Sequence, residues 1–213
     1  MTSGGRELLK WVALVLMTGD HVNKVLLHGA VPWLEDAGRV VFPIFAFVLA
    51  WNIYESPAAS GARSFCRLLV FGVLLQPLHV LAFGGLLPLN ILLTLALGLV
   101  VAAFRSLWLA ALLWGVGGLF VDYQWAGVGV VLAAFVVANL GGHWRGWVVF
   151  VVALLALCWF NGNAWALLSL PLLWFYGTWP GEVPRYRWTF LGYYAAHLAV
   201  LAGFASILGE SMQ

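Results

Sequence analysis

No part of this chain is polar enough to be wrapped in water. From Leu107 to Tyr176 the only Asp, Glu, Lys or Arg residues are Asp122 and Arg145, and comparable apolar runs recur along the whole length. Charged residues make up 8% of the sequence and hydrophobic ones 64%, whereas a typical soluble domain is roughly a quarter charged. A water-facing surface cannot be built from such a chain. The reading is an all-α, polytopic transmembrane helical bundle, one integral membrane domain over residues 1–213, with the lipid bilayer as its first partner.

A helix needs about 20 mostly apolar residues to cross a bilayer. Segments near 10–30, 38–54, 64–84 and 86–104 meet this, and a last one covers 189–209. The stretch from Leu107 to Tyr176 divides at Asp122, at "GGHWR" and at "NGN" into four shorter helices. About nine spans result. Lys and Arg favour cytoplasmic loops. With the N-terminus inside, Arg6, Lys10, Arg63, Arg67, Arg105, Arg145, Arg185 and Arg187 fall on the cytoplasmic side, and only Lys24 and Arg39 fall outside. Odd span number and charge agree on a cytoplasmic N-terminus and an outer C-terminus. The first span has the basic start of a signal peptide, but Asp20 and His21 interrupt its core and no cleavage site follows; it reads as a retained helix. Cys66 and Cys158 lie far apart in apolar segments, as small hydrophobes rather than a disulfide or a metal pair. A net charge of +2 with scattered bases gives no reason to expect nucleic acid.

The polar residues inside the apolar segments are the informative ones. At about 100° per residue Asp20, Lys24, His28 and His21 project onto one face of the first helix. Asp or Lys at the centre of a membrane helix costs about 2.5–3.5 kcal/mol on insertion scales, so such residues need partners or a purpose. Asp20 and Lys24 are i,i+4 neighbours able to pair; Asp20 can equally serve His21 or Arg39. Arg39 opens the second span, where Pro43 suggests a bend. Gln76 and His79 flank Pro77, Asn90 and Thr94 share a face, and His197 follows Tyr193 by one turn in the last span. Taken singly each has a dull role in helix packing. Together they suggest a cavity entered from the outer side.

Neither H-E-x-x-H nor G-x-S-x-G occurs, which removes the familiar zinc-protease and serine-hydrolase signatures, and no metal is expected. A histidine beside a carboxylate with cations nearby suits general-base catalysis, with His21 as base and Asp20 orienting it or setting its charge.

Two gapless stretches, "LKWVALVLMTGDHVNKVLL" (9–27) and "GRVVFPIFAFVLAWNIYES" (38–56), resemble the TraX family, and "NILLTLALGL" (90–99) resembles its next segment. The family is named for a conjugative-plasmid protein needed to acetylate the pilin N-terminus, and is thought related to membrane-bound acyltransferase 3 proteins, which use a first-span histidine and cytoplasmic acyl-CoA. "MTGDHVNKVLL" is closer to the TrbP type, found in conjugation systems whose pilin is not known to be acetylated. The resemblance implies a bacterial inner-membrane acetyltransferase using acetyl-CoA as co-substrate, with pilin or another acceptor approaching from the outer face. It points to Asp20, His21, Arg39, Asn90 and His197. In that reading Arg39 and Lys24 hold acceptor or CoA polar groups, Asn90 and Thr94 donate to the thioester oxygen, and Arg63, Arg67, Arg105 and Arg145 meet the CoA phosphates. The alternatives from other classes are a proton-coupled transporter and a non-catalytic pilus assembly factor.

Overall fold

Polar residues, glycines and prolines cut the apolar sequence into helices. A computed structural model describes residues 1–56, 60–185 and 188–211, the last four by backbone alone. Helix α1 (Ser3–Val25) is capped by Thr2, whose Oγ1 accepts from Gly5 N–H at 3.1 Å. Then follow α2 (Pro32–Gly38), α3 (Val41–Tyr54), α4 (Ser60–Phe83) and α5 (Ile91–Ala103). Next, α6 (Leu107–Leu112) runs on as a π turn through Gly117, ahead of α7 (Gln124–Asn139) and α8 (Trp144–Asn161). A 3₁₀ turn (Trp165–Leu168) leads into α9 (Ser169–Gly177), and α10 (Thr189–Ser211) closes the described chain. The breaks expected at Asp122, at "GGHWR" and at "NGN" are all present. At the last, Gly162 takes φ +72°, a left-handed conformation that ends α8 without a Cβ clash.

Four apolar helices have membrane-spanning length: Pro32–Tyr54, Ser60–Phe83, Trp144–Asn161 and Thr189–Ile207. The first of these joins α2 and α3 through a bend at Arg39–Val40. The bend lies ahead of Pro43 rather than at it. Pro43 sits in the first turn of α3, where a missing N–H leaves no helical bond unmade. Among the described residues Ile91–Ala103, Leu107–Gly117, Gln124–Asn139 and Trp165–Gly177 are apolar helices too, but shorter.

Contacts sort the helix ends into two groups. Thr2 N–H donates to Gly177 O at 3.0 Å, Arg6 pairs with Glu55, and Ile53, Gly61, Ala103 and Asn139 line one groove. The start of α1, the ends of α3, α5, α7 and α9 and the start of α4 therefore share one end, here the N-terminal end. At the far end Leu89 pairs with Val121, and Asn163 donates to Asp36 at 2.9 Å. Arg6, Lys10, Arg63, Arg67, Arg105, Arg145 and Arg185 are grouped at the N-terminal end, while Lys24 and Arg39 are at the far end; Arg187 lies outside the described residues. Phe42, Ile44, Phe150, Leu154, Leu157 and Leu198 are among the fully buried core residues. The exterior is also apolar. Leu74 on α4, Trp159 on α8 and Ile207 on α10 are more than 60% exposed, a belt that water would not tolerate but lipid covers.

Candidate functional site

A cavity of about 420 Å³ opens among the helices towards the far end. Asp20, His21 and Lys24 enter it from the last turns of α1, Arg39 from the α2–α3 bend, His79 from α4, Asp122 and Tyr123 from the turn before α7, and Tyr194 from α10. Two ion pairs order the wall. Lys24 Nζ donates to Asp20 Oδ2 at 2.9 Å, and Arg39 donates to Glu35 at 2.7 Å. Among the described residues Asp20 Oδ1, Arg39 Nε and His79 Nδ1 are buried with no hydrogen-bond partner. A buried polar atom left unmatched costs about 1–3 kcal/mol, so three on the residues of one cavity call for water or a polar guest inside it. Asp122 accepts from Tyr123 N–H at 3.0 Å. Among the described residues no Lys or Arg lies within ion-pairing distance of it.

Behind this wall His21 Nδ1 lies 2.9 Å from His197 Nε2. His197 Nδ1 in turn lies 3.0 Å from the Tyr193 carbonyl oxygen. One turn away, Thr18 Oγ1 donates to Leu14 O and contacts the Tyr193 hydroxyl, both at 2.8 Å. Two polar contacts one turn apart thus hold α10 against α1.

Of the residues singled out from sequence, Asp20, His21, Lys24 and Arg39 do share the cavity, and His197 joins them through His21. Asp20 pairs with Lys24, not with His21. Adjacent residues on a helix diverge by about 100°, which turns the carboxylate away from the imidazole. Asn90 and Thr94 do not line the cavity. Asn90 caps α5, and its amide donates to Gly72 O at 2.7 Å and to Gln76 Oε1 at 2.8 Å. Thr94 donates to the carbonyl of Asp122 at 3.0 Å. Both hold the frame in which Asp122 sits. His28 leaves the polar stripe because α1 ends at Val25, so the helical projection stops before it. Asp122 and Tyr123 were legible only as a break between spans. The single acid in a seventy-residue apolar stretch was the available signal, and its isolation marked it.

A second cavity, about 410 Å³, lies at the N-terminal end. Lys10, Arg63, Arg67 and Arg185 line it with Ser56, Ser60 and Ser64, and Glu7, 2.6 Å from Lys10 and 3.8 Å from Arg185, pairs with two of these cations. Ser60 Oγ is buried there without a partner. Four cations and three hydroxyls are a donor set suited to phosphate. Arg105 and Arg145 lie elsewhere, Arg105 in an exposed turn and Arg145 exposed at the start of α8, 5.7 Å from the Trp144 ring centre. A third, apolar cavity of about 130 Å³, here called the throat, lies between the two. It shares Phe190 with the basic cavity and Met17, Phe45, Ile91 and Tyr194 with the polar one, and Leu14, Leu68, Leu92 and Leu191 complete its lining.

A profile of the TraX protein family matches residues 5–205. The chain belongs to the TraX family. The match takes in every residue lining the two cavities and the throat, and His197 as well. Relatives include an uncharacterized protein of Rickettsia prowazekii (strain Madrid E), 31% identical over 93 residues, which are 44% of this chain and 34% of that one. A Protein TraX of Escherichia coli (strain K12) is 48% identical over 50 residues, 24% of this chain and 20% of its own. A further Escherichia coli Protein TraX is 37% identical over 79 residues, 37% of this chain and 31% of its own. The aligned part of this TraX-family chain thus spans about a third or less of each relative. No solved structure matches.

Proposed function

We propose that this chain is an inner-membrane acyltransferase that moves an acetyl group from acetyl-CoA to an acceptor amine such as the N-terminus of a conjugative pilin. The observation that carries the reading is the string of three spaces along α1: a basic vestibule, an apolar throat and a polar cavity holding a histidine. Lys10 and His21 are eleven residues apart, about 16 Å along a helix rising about 1.5 Å per residue. That span suits an extended phosphopantetheine arm, with its phosphates among Lys10, Arg63, Arg67 and Arg185 and its thioester beside His21. Grouping of the bases at the N-terminal end supports a cytoplasmic assignment of that end, where acetyl-CoA is found, and with it a periplasmic assignment of the polar cavity at the far end.

His21 acts as general base. As the amine nitrogen attacks the thioester carbon, a C–N bond forms, the C–S bond breaks and His21 takes the proton lost by nitrogen. His21 then returns that proton to the departing thiolate, giving free CoA. Asp122 binds the acceptor as its ammonium and takes one proton from it, which frees the nitrogen lone pair for attack, leaves the second proton to His21 and favours amines over hydroxyls. Arg39 and Lys24, already paired, shape the mouth. A proton-coupled transporter fits less well, because apart from Tyr194 the throat is lined by apolar side chains, which offer an ion too little to replace its hydration.

The test is CoA release by purified, monodisperse protein given acetyl-CoA and a peptide amine. Turnover is expected, with His21→Ala lowering it by about 10²–10⁴, the usual cost of losing a general base. Full activity in His21→Ala would remove this mechanism, and no turnover with any amine acceptor would remove the enzyme.

A further inference from the structure

We propose that His197 is a positioning residue that fixes the tautomer of His21, so that the Nε2 lone pair of His21 is the basic site. A carbonyl oxygen only accepts, so the 3.0 Å contact between Tyr193 O and His197 Nδ1 requires the proton of His197 to be on Nδ1. A neutral imidazole carries one N–H, which leaves His197 Nε2 as an acceptor. Its neighbour at 2.9 Å is His21 Nδ1, which must then donate. The lone pair of His21 is thereby assigned to Nε2, a nitrogen with no hydrogen-bond partner among the described residues, on a ring that lines the polar cavity.

The usual orienting group in such a pair is a carboxylate. Asp20 is committed to Lys24, and a second imidazole takes the place. This changes the proton chemistry. When His21 Nε2 gains a proton, its Nδ1 proton can move to His197 Nε2, and the positive charge is shared by two rings. The relay stops there, because His197 Nδ1–H faces a carbonyl that takes no proton. The proton has no exit through α10 and stays available for the leaving group. The geometry is held from below: Thr18 donates to Leu14 O, so the Tyr193 hydroxyl is the donor to Thr18, and the Tyr193 ring lies within 19° of parallel to His197.

The proposal rests on His21 acting as the base, but its test reads the tautomer itself. In protein carrying ¹⁵N-labelled histidine rings, nitrogen NMR distinguishes Nδ1–H from Nε2–H, with His21 assigned from the signals lost in His21→Asn. The wild type is expected to show His21 with its proton on Nδ1. His197→Phe removes the acceptor and should give a mixture of tautomers, while His197→Gln, whose side-chain oxygen accepts, should keep Nδ1–H. In the transfer assay His197→Phe should lower kcat by about tenfold or more, the wrong tautomer in a related arrangement costing about 10⁴, with KM for acetyl-CoA within twofold, and His197→Gln should recover part of it. A wild-type His21 protonated on Nε2, or an Nδ1–H unaltered in His197→Phe, overturns the proposal whether or not the protein transfers acetyl. If His197→Phe does not fold, the wild-type spectrum still decides.

Discussion

Gly38 and Asp20 are packed so closely that a Cβ on Gly38 would lie 2.6 Å from Asp20 Cβ and 2.7 Å from its carboxyl carbon. Glycine is what lets the α2–α3 pass bring Arg39 to the cavity beside α1. Gly38→Ala is therefore expected to push these helices apart, at about 1–3 kcal/mol for overpacking, and to lower transfer more than it lowers the yield of folded protein. Thermal melting alongside CoA release checks this; an alanine variant with normal turnover would show that the contact is not needed for the site.

The Asp20–Lys24 pair makes a sharper case. Asp20→Asn leaves a partly buried ammonium without its partner. The cost of breaking a fully buried pair is about 3–5 kcal/mol, and it is smaller here because the Lys24 side chain is 35% exposed. The double change Asp20→Asn with Lys24→Met removes both charges and should recover most of the stability and activity lost in the single variant. A double variant as inactive as Asp20→Asn alone would return Asp20 to the chemistry.

Asp122 is expected to recognise the acceptor. Asp122→Asn keeps shape and removes charge, so KM for a peptide amine should rise about tenfold or more, a charged hydrogen bond being worth about 1.5–3 kcal/mol. KM for acetyl-CoA should stay within twofold. The opposite pattern would place Asp122 on the donor side.

The two predicted pairs of arginines now separate. Arg63→Gln, in the basic vestibule, should raise KM for acetyl-CoA with little change in kcat, whereas Arg105→Gln, in an exposed turn, should change neither. Equal effects from both would mean that the vestibule does not hold the CoA phosphates.

At the N-terminal end Glu55 accepts from Arg6 and from Trp51 Nε1. Partial burial pulls its carboxyl upwards, but the hydrogen bonds from Arg6 and Trp51 outweigh this and hold it below the usual glutamate value. A carboxyl with a lowered folded-state pKa stabilises the fold above its unfolded value of about 4.3, and that contribution is lost as pH falls through the folded value. The melting temperature in detergent should therefore drop more steeply in acid for wild type than for Glu55→Gln. Parallel curves would show that the tie between α1 and α3 contributes nothing measurable.

Most of the helical layout was written into local sequence. An apolar run of sufficient length must become a helix in lipid, because no water is there to satisfy the backbone, and Asp122, the Gly141–Gly142 pair and Gly162 stop such runs wherever they occur. The clustering of Asp20, His21 and Lys24 was equally local, since residues one turn apart share a face. Partner choice was not local. Whether Asp20 turns to Lys24 or His21 depends on a few ångströms of side-chain direction, and that the second histidine is His197 depends on how α10 packs 176 residues away. Asn90 and Asp122 exchanged the roles their composition suggested for the same reason. A buried polar side chain does what its nearest neighbours from other helices allow, and only tertiary packing selects those neighbours.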